Sequence, residues 1–556
     1  LIRSKLLAAA ALLAVAAIHF TTIPQTFWEY DEHLFAMGVE RFEPLLHHPP
    51  PPGSPLFIAF AKVVAIFTND VFDALIITSL LALVAGLIAF TGAFREISGS
   101  NATAVAAASL LYLSPAVLVS GTLPQSDAGA LALYGFAIWA CARGNPIAAG
   151  IACAAAIGWR PQFSIAIVPM FFTYVVMQRA WRAVVVFAIA CLAWFIPLVV
   201  ATGGPQAFWE WLFGQAAYYA AHDADLSRSG WSPAQLALRF AAHPWGPKWL
   251  AIPVLLLATY SSYKCYRSYK SYAPLAVGCL VYLAFAIATM DPADAVRYAI
   301  PSLPLIALLA GRWWWFVPLY ALGAYWYASP VIRTRATSVA PPTAAIHWIE
   351  ANVPRNAVVV YDAPLRPHAE HMLRGWRTAR SSDDMSAPMV LLADGERGDA
   401  KGVTFRWPDT DAYRKLTRQH YGAVSVIPVP PEQRFRVIEG VFAPERTRDG
   451  KAWQWISARG VLELPDLGAT HARFVFRAPP EYPLESNTIR VDGASVTVRR
   501  DSTAEVIVPL TQRRITIKPE RSFVPANVRG ANNRDQRTLS VMLIRVEQLT
   551  RPTQTR

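Results

Sequence analysis

The sequence predicts a polytopic α-helical membrane protein of about eleven spans, followed by a soluble α/β region and a C-terminal β-sandwich. Three observations lead there. Hydrophobic residues make up 54% of the 556 and charged residues 16%, against about a quarter charged in an average globular chain. The charge deficit lies almost wholly before Arg335, where Ala/Leu/Val/Ile runs are broken by short polar turns. Beyond that point charge returns, and the apolar pattern first alternates between helix and strand and then settles to period two. A mean hydropathy of +0.29 and this distribution exclude a wholly soluble enzyme, a disordered chain and a small disulfide-stapled scaffold.

A crossing helix needs about 20 apolar residues. The runs that qualify, or nearly do, fall at 3–21, 73–94, 102–120, 127–142, 146–159, 162–178, 183–202, 248–264, 272–290, 298–311 and 313–330. The first has the look of a signal peptide, with Arg3 and Lys5 ahead of an apolar stretch, and is read as an uncleaved first helix. With the N-terminus in the cytoplasm, the inner turns collect Arg3, Lys5, Arg95, Arg143, Arg179, Arg182, Lys264, Arg267, Lys270 and Arg312, with Glu96 the lone acid. Outer loops hold Arg41, Arg160, Arg228, Arg239 and Arg297 among more numerous acids. That asymmetry is the positive-inside rule, and an odd number of spans puts the tail outside the cytoplasm.

The formal charge of +13 is covered in large part by those topology-setting residues. No basic stripe interleaved with aromatics points to nucleic acid. All five cysteines (Cys141, Cys153, Cys191, Cys265 and Cys279) lie in or beside apolar runs. No CxxC or Cys/His cluster suggests zinc.

Three domains follow: 1–335 in the membrane, 336–430 as a small α/β layer, and 431–556 as the sandwich. In the second, Thr343 to Asn352 reads as a helix, and Ala357 to Tyr361 and Met389 to Leu392 as buried strands. No GxGxxG or P-loop is present. In the third, Trp453 and Trp455, Val461 to Leu464, Phe474 to Phe476, Ile489 to Val491 and four further segments alternate with a period of two. Trp453 and Trp455 share a strand face, as core aromatics or as a sugar platform, with the core role ahead.

The most informative polar residues sit where the spans meet the outside. In the first outer loop, Phe35, Val39 and Phe42 make a stripe for a helix lying in the interface. Asp31 and Glu32 occupy its N-terminal end, where the helix dipole favours acids. They diverge by about a third of a turn, so one of them can point squarely into a given cavity. His47-His48 leads into four prolines, Gly53 and a short apolar helix, an expected extended segment. Asp127, Arg160, Arg297 and Tyr298 lie at outer ends of other spans. Each alone is a capping or snorkelling residue; together they suggest a site for an anionic lipid head group.

Asp31-Glu32, His48-Pro-Pro with the following Pro-Gly-Ser-Pro-Leu-Phe, Asp127 and Arg297-Tyr-Ala-Ile-Pro301 resemble a GT-C fold glycosyltransferase. The likeness is to the bacterial relatives of protein mannosyltransferases and aminoarabinose transferases, which take sugar from a polyprenyl-phosphate. Gly440 to Glu445 with Trp453-Gln-Trp455, and Phe523-Val-Pro525 with Arg534 to Leu539, resemble a β-sandwich appended to some such proteins. The commoner His-Pro-Pro-Gly is here His48, four prolines and Gly53.

The resemblance implies inverting transfer at the outer face of the bacterial cytoplasmic membrane. Asp31 is the expected base, with Glu32 second or orienting the acceptor. His48, Arg160, Arg297 and Tyr298 are expected to hold the donor phosphate, and Asp127 to orient the acceptor or pair with an arginine. No cofactor is implied; a divalent cation is compatible with the fold class, but the sequence offers no ligand set. The acceptor is a glycan, a lipid or a protein. A lipid or glycan transporter is the rival reading, against which stand the absence of a repeat and the outer, not mid-membrane, placement of the polar residues.

Overall fold

The computed structural model describes residues 2–219, 230–265, 269–379, 387–396, 402–417, 422–442, 445–446, 452–528 and 535–549. Arg228, Arg267 and Arg534 lie outside the described residues, as do Ala443 and Pro444 and the side chains of Arg3, Lys5 and Lys270. The chain divides into two compact units, residues 1–340 with 408–419, and residues 341–407 with 420–556.

The first unit is helical, and it corrects the expected number of spans. Among the described residues four helices are long and apolar enough to cross a membrane: Val71–Ser98, Pro161–Gln178, Trp181–Ala201 and Ser271–Thr289. A fifth is reached if Pro292–Tyr298 and Ile300–Ala310, bent by 47° at their junction, count as one span. The expectation of about eleven fails because composition alone merges what capping separates. The run 102–120 is two helices, Asn101–Tyr112 and Pro115–Ser120, parted at Ser114, whose hydroxyl accepts from Val117 N. Asp127–Ala142 and Pro146–Trp159 have 16 and 14 residues, about 24 and 21 Å at 1.5 Å per residue, short of a hydrocarbon core of about 30 Å. Lys248–Cys265 carries Thr259, Ser261, Ser262 and Lys264 in its second half, and Val317–Thr337 ends through Arg333 and Arg335.

Two local expectations for the first loop also change. The helix Tyr30–Glu40 buries Glu32 through Val39 without interruption. Phe35 and Val39 of the expected stripe are covered by protein, Phe35 meeting Phe57 edge to face at 5.0 Å, while Phe42 lies beyond the helix and is half-buried. The proline segment is a compact strap, not an extended rod. Glu43 N donates to His48 O at 2.7 Å, and Gly53 N to Pro50 O at 2.9 Å.

The second unit holds two sheets. Strands β1 (Val358–Tyr361), β2 (Arg377–Ala379), β3 (Met389–Asp394), β4 (Val403–Arg406) and β5 (Ala423–Pro428) form one in the order β2-β1-β3-β5-β4. The β1 pairings are parallel and the β5 pairings antiparallel. Ile346 and Ile349 of the helix Pro341–Asn352 cover it, in one core with Val359, Leu392 and Val426.

The remaining strands are β6 (Arg436–Val441), β7 (Glu445–Arg446), β8 (Ala452–Glu463), β9 (His471–Ala478), β10 (Ser486–Val491), β11 (Ala494–Arg499), β12 (Ser502–Pro509), β13 (Arg514–Pro519) and β14 (Val541–Leu549). They make a single antiparallel path, β11-β10-β13-β8-β14-β9-β12, with β6 and β7 against β8. The end strands β11 and β12 lie against each other, so the expected two-sheet sandwich is instead a nearly closed barrel. Alternation cannot separate the two, because both bury every second residue. Register decides, and the bulges at Val437/Glu439, Glu439/Val441 and Leu543/Arg545 bend the strands. β9 alternates buried and half-buried residues along its length, with Phe474 and Phe476 inside.

Trp455 belongs to that core and meets Phe523 at 6.0 Å, while Trp453 is half-buried at its margin. In denaturant unfolding of the full chain in detergent, Trp455→Ala should lower the stability of the barrel transition by about 3–5 kcal/mol. Trp453→Ala should cost clearly less, and equal losses would contradict the assignment of Trp455 to the core.

Candidate functional site

Four of the seven residues singled out in the sequence form one chain of ion pairs, and backbone geometry explains how. The first-loop helix starts after an extended Glu29, which puts Asp31 and Glu32 in its first turn. Asp127 opens the helix Asp127–Ala142, and Arg160 follows the last residue of Pro146–Trp159. An acid at a helix start and a cation at a helix end are both favoured by the peptide dipoles. The two helices can bring these ends together because residue 129 is glycine. A Cβ there would stand 2.2 Å from Trp159 Cε2; without one, the Trp159 ring packs directly against Gly129 and its neighbour Arg160 reaches Ser126 and Asp127. Arg297 comes from the one-turn helix Ala295–Tyr298 at the bend between Asp291 and Leu303.

Asp127 Oδ2 takes both cations. Arg160 Nη1 lies 2.9 Å from it, and Arg297 approaches it with Nε and Nη2, each at 3.1 Å. Arg160 is held further by Ser126 Oγ at 3.0 Å and Gln162 Oε1 at 3.3 Å. The remaining terminal nitrogen of Arg297, Nη1, is 3.7 Å from Asp31 Oδ2. Exposure grades along the chain: the Asp127 side chain is 5% exposed, the two arginines 11%, and Asp31 39%. The acid at the wet end is therefore loosely held, and the cations behind it are fixed.

Glu32 turns elsewhere. It is fully buried, its Oε2 accepts from Trp28 N at 2.6 Å, and its Oε1 accepts from Gln125 Nε2 at 3.2 Å. Burial first, and then the neighbouring Glu29 carboxylate, push its carboxyl up to about 8, so it is largely a neutral acid at pH 7. Gln125 Oε1 has no other partner, and a neutral Glu32 can donate its O–H to it once the amide turns over. His48 stands at the other end of the first-loop helix. The following Pro49 packs on Gly38 so closely that a Cβ at 38 would come within 2.9 Å of Pro49 N. That is about two turns, roughly 10 Å, along the helix from Asp31. Tyr298 sits beside Arg297 in the same turn, half-buried.

Sequence reasoning missed Glu29, Gln125 and Arg335. Arg335 served only to mark the end of the membrane region, yet it is 3% exposed and its Nη2 lies 2.7 Å from Glu29 Oε1. Glu29 is pushed up to about 7 by burial, against the opposing pull of Arg335. The only signal for it in the sequence is three acids within four residues, Glu29, Asp31 and Glu32. Among the described residues no group of three His, Cys, Asp or Glu side chains is disposed to hold a metal ion.

Glu29 and Glu32 keep protons in the folded protein that the unfolded chain loses above about pH 4.5. Their favourable contribution is full below that pH, declines as pH rises, and is gone once pH has passed through 7 to 8. Thermal melts between pH 5 and 9 should show this decline, and Glu32→Gln should flatten it. A slope that the substitution leaves unchanged would contradict the buried neutral acid.

No protein-family model matches the sequence, and no curated protein does. Solved structures do. ArnT from Cupriavidus metallidurans bound to undecaprenyl phosphate is 12% identical at a TM-score of 0.50, over 76% of this chain and 97% of that one. An Archaeoglobus fulgidus oligosaccharyltransferase in the apo form is 10% identical at 0.48, over 98% of each chain. Arabinosyltransferase EmbB from Mycobacterium smegmatis is 11% identical at 0.30, over 97% of this chain and 64% of that one. At such identities the likeness to the first is one of architecture: the chain shares the fold of that ArnT structure.

Proposed function

We propose that the protein transfers a sugar from a polyprenyl-phosphate carrier to an acceptor at the extracytoplasmic face of a bacterial cytoplasmic membrane, as a relative of the protein mannosyltransferases and aminoarabinose transferases. The observation that carries the reading is the Asp31–Arg297–Asp127–Arg160 chain. The ArnT structure of the same fold was obtained with undecaprenyl phosphate, a ligand whose head group matches an arginine pair.

In this reading the donor phosphate approaches Arg297 Nη1, the one terminal nitrogen that Asp127 does not occupy. A phosphate oxygen is a stronger partner than a carboxylate 3.7 Å away, so its arrival frees Asp31. The acceptor hydroxyl then gives its proton to Asp31 while its oxygen attacks the anomeric carbon from the face opposite the phosphate. The C–O bond to phosphate breaks with its electron pair, polyprenyl phosphate leaves, and the configuration inverts. Arg297 and Arg160 stabilise the charge that develops on the leaving group. Asp127 orients both guanidinium groups, and His48 and Tyr298 contribute at the margin of the head-group site. Glu32, neutral and enclosed, supports the turn that presents Asp31.

In proteoliposomes supplied with polyprenyl-phosphate sugars, Asp31→Asn should lower transfer by about 100-fold or more, the scale of a lost general base, with the protein still folded. Arg297→Ala should weaken undecaprenyl phosphate binding in a direct titration. Near-normal turnover by the first variant, or unchanged affinity in the second, would exclude these roles.

A further inference from the structure

The turn that leads into Asp31 is stitched to two distant parts of the chain. Gln25 N donates to Arg335 O at 2.9 Å, Ala340 N donates to Thr26 Oγ1 at 3.1 Å, and Arg335 Nη2 grips Glu29 Oε1 at 2.7 Å. Arg335 Nη1 donates to Val119 O at 2.8 Å, which ties the same guanidinium to the helix Pro115–Ser120. The second part is the segment 408–419. In sequence it is an insertion between β4 and β5, yet it belongs to the helical unit. Its helix Asp411–Leu416 packs on Val317–Thr337, and Tyr413, 2% exposed, lies 6.4 Å from the Trp28 ring. The Tyr413 hydroxyl lies within electrostatic reach of Arg335, Glu29 and Glu32.

An arginine and a tyrosine almost sealed from solvent thus converge on the residues immediately before the proposed base, whose own ion pair is made by Arg297. Segment 408–419 carries an N-cap of its own, with Thr410 Oγ1 accepting from Tyr413 N at 3.1 Å. Its polar side chains Arg414 and Lys415 face solvent, and Ala412, Tyr413 and Leu416 are its buried side chains.

We propose that Arg335 and Tyr413 are positioning residues that hold Glu29 and the turn 25–29, so that the inserted segment 408–419 is a working part of the centre that presents Asp31. The proposal rests on the transferase reading for its consequence in catalysis, but its structural half can be read without activity.

The test combines hydrogen–deuterium exchange of the full chain in nanodiscs with steady-state transfer assays, on Arg335→Gln, Arg335→Lys and Tyr413→Ala, with Arg414→Ala as the control on the exposed face of the segment. Arg335→Gln and Tyr413→Ala should raise exchange in residues 25–34 while the helix Val71–Ser98 stays protected. They should lower kcat by about 10- to 100-fold, as expected for a misplaced reacting group, with the KM for donor nearly unchanged. Arg335→Lys should recover much of both, and Arg414→Ala should match the parent. Should Arg335→Gln fail to accumulate, Arg335→Lys and Tyr413→Ala still carry the comparison. Exchange in 25–34 equal to the parent's in Tyr413→Ala would overturn the proposal. So would a loss confined to melting temperature, with kcat per folded molecule unaltered. Loosened exchange in a parent that transfers no sugar would instead count against the transferase reading alone.

Discussion

One carboxylate oxygen, Asp127 Oδ2, holds two guanidinium groups from different parts of the bundle. Two cations nearly covered by protein would repel each other and shed little charge to solvent, so an acid between them is the condition for keeping both. With Asp127 in place, Arg160 is pinned by three partners and Arg297 is held side-on, and one nitrogen of Arg297 remains to face the wet end where Asp31 stands. Much of the surrounding architecture serves that arrangement. A glycine at 129 lets Trp159 pack close, the helix Asp127–Ala142 starts at the acid, and the bend between Asp291 and Leu303 delivers Arg297.

A second layer of charge surrounds the first and is of a different kind. Glu29 and Arg335 form a close pair in low exposure, while Glu32 is neutral and bonded to a backbone N–H and an amide. Burial separates the roles of the adjacent acids. Asp31 remains partly exposed and loosely paired, whereas Glu32 is enclosed and protonated. Their divergence by about a third of a turn on the first helical turn sends them to these different surroundings.

Much of this was legible in the sequence, and the gaps have physical causes. Asp31, Asp127, Arg160 and Arg297 stood out because charged residues at the ends of apolar runs are costly unless paired or functional. The pairing itself depends on Gly129 and on the 291–303 bend, which no periodicity reports. Arg335 marks the polar end of the last apolar helix and so reads as a boundary residue, and Tyr413 sits in a stretch of ordinary soluble composition whose burial comes from the return of segment 408–419 to the helical unit. The number of crossing helices was overestimated because Ala-rich runs are apolar whether or not a Ser-Pro break or a short length divides them. The barrel passed for a sandwich because strand alternation is the same in both, and only the pairing order distinguishes them.

A structure of the protein in a lipid nanodisc with undecaprenyl phosphate tests the account most directly. The account predicts a phosphate oxygen within hydrogen-bonding distance of Arg297 Nη1, Asp127 still bridging both arginines, and Asp31 released toward the acceptor side. Phosphate bound away from Arg297, with the Asp31 contact to that arginine intact, would contradict it.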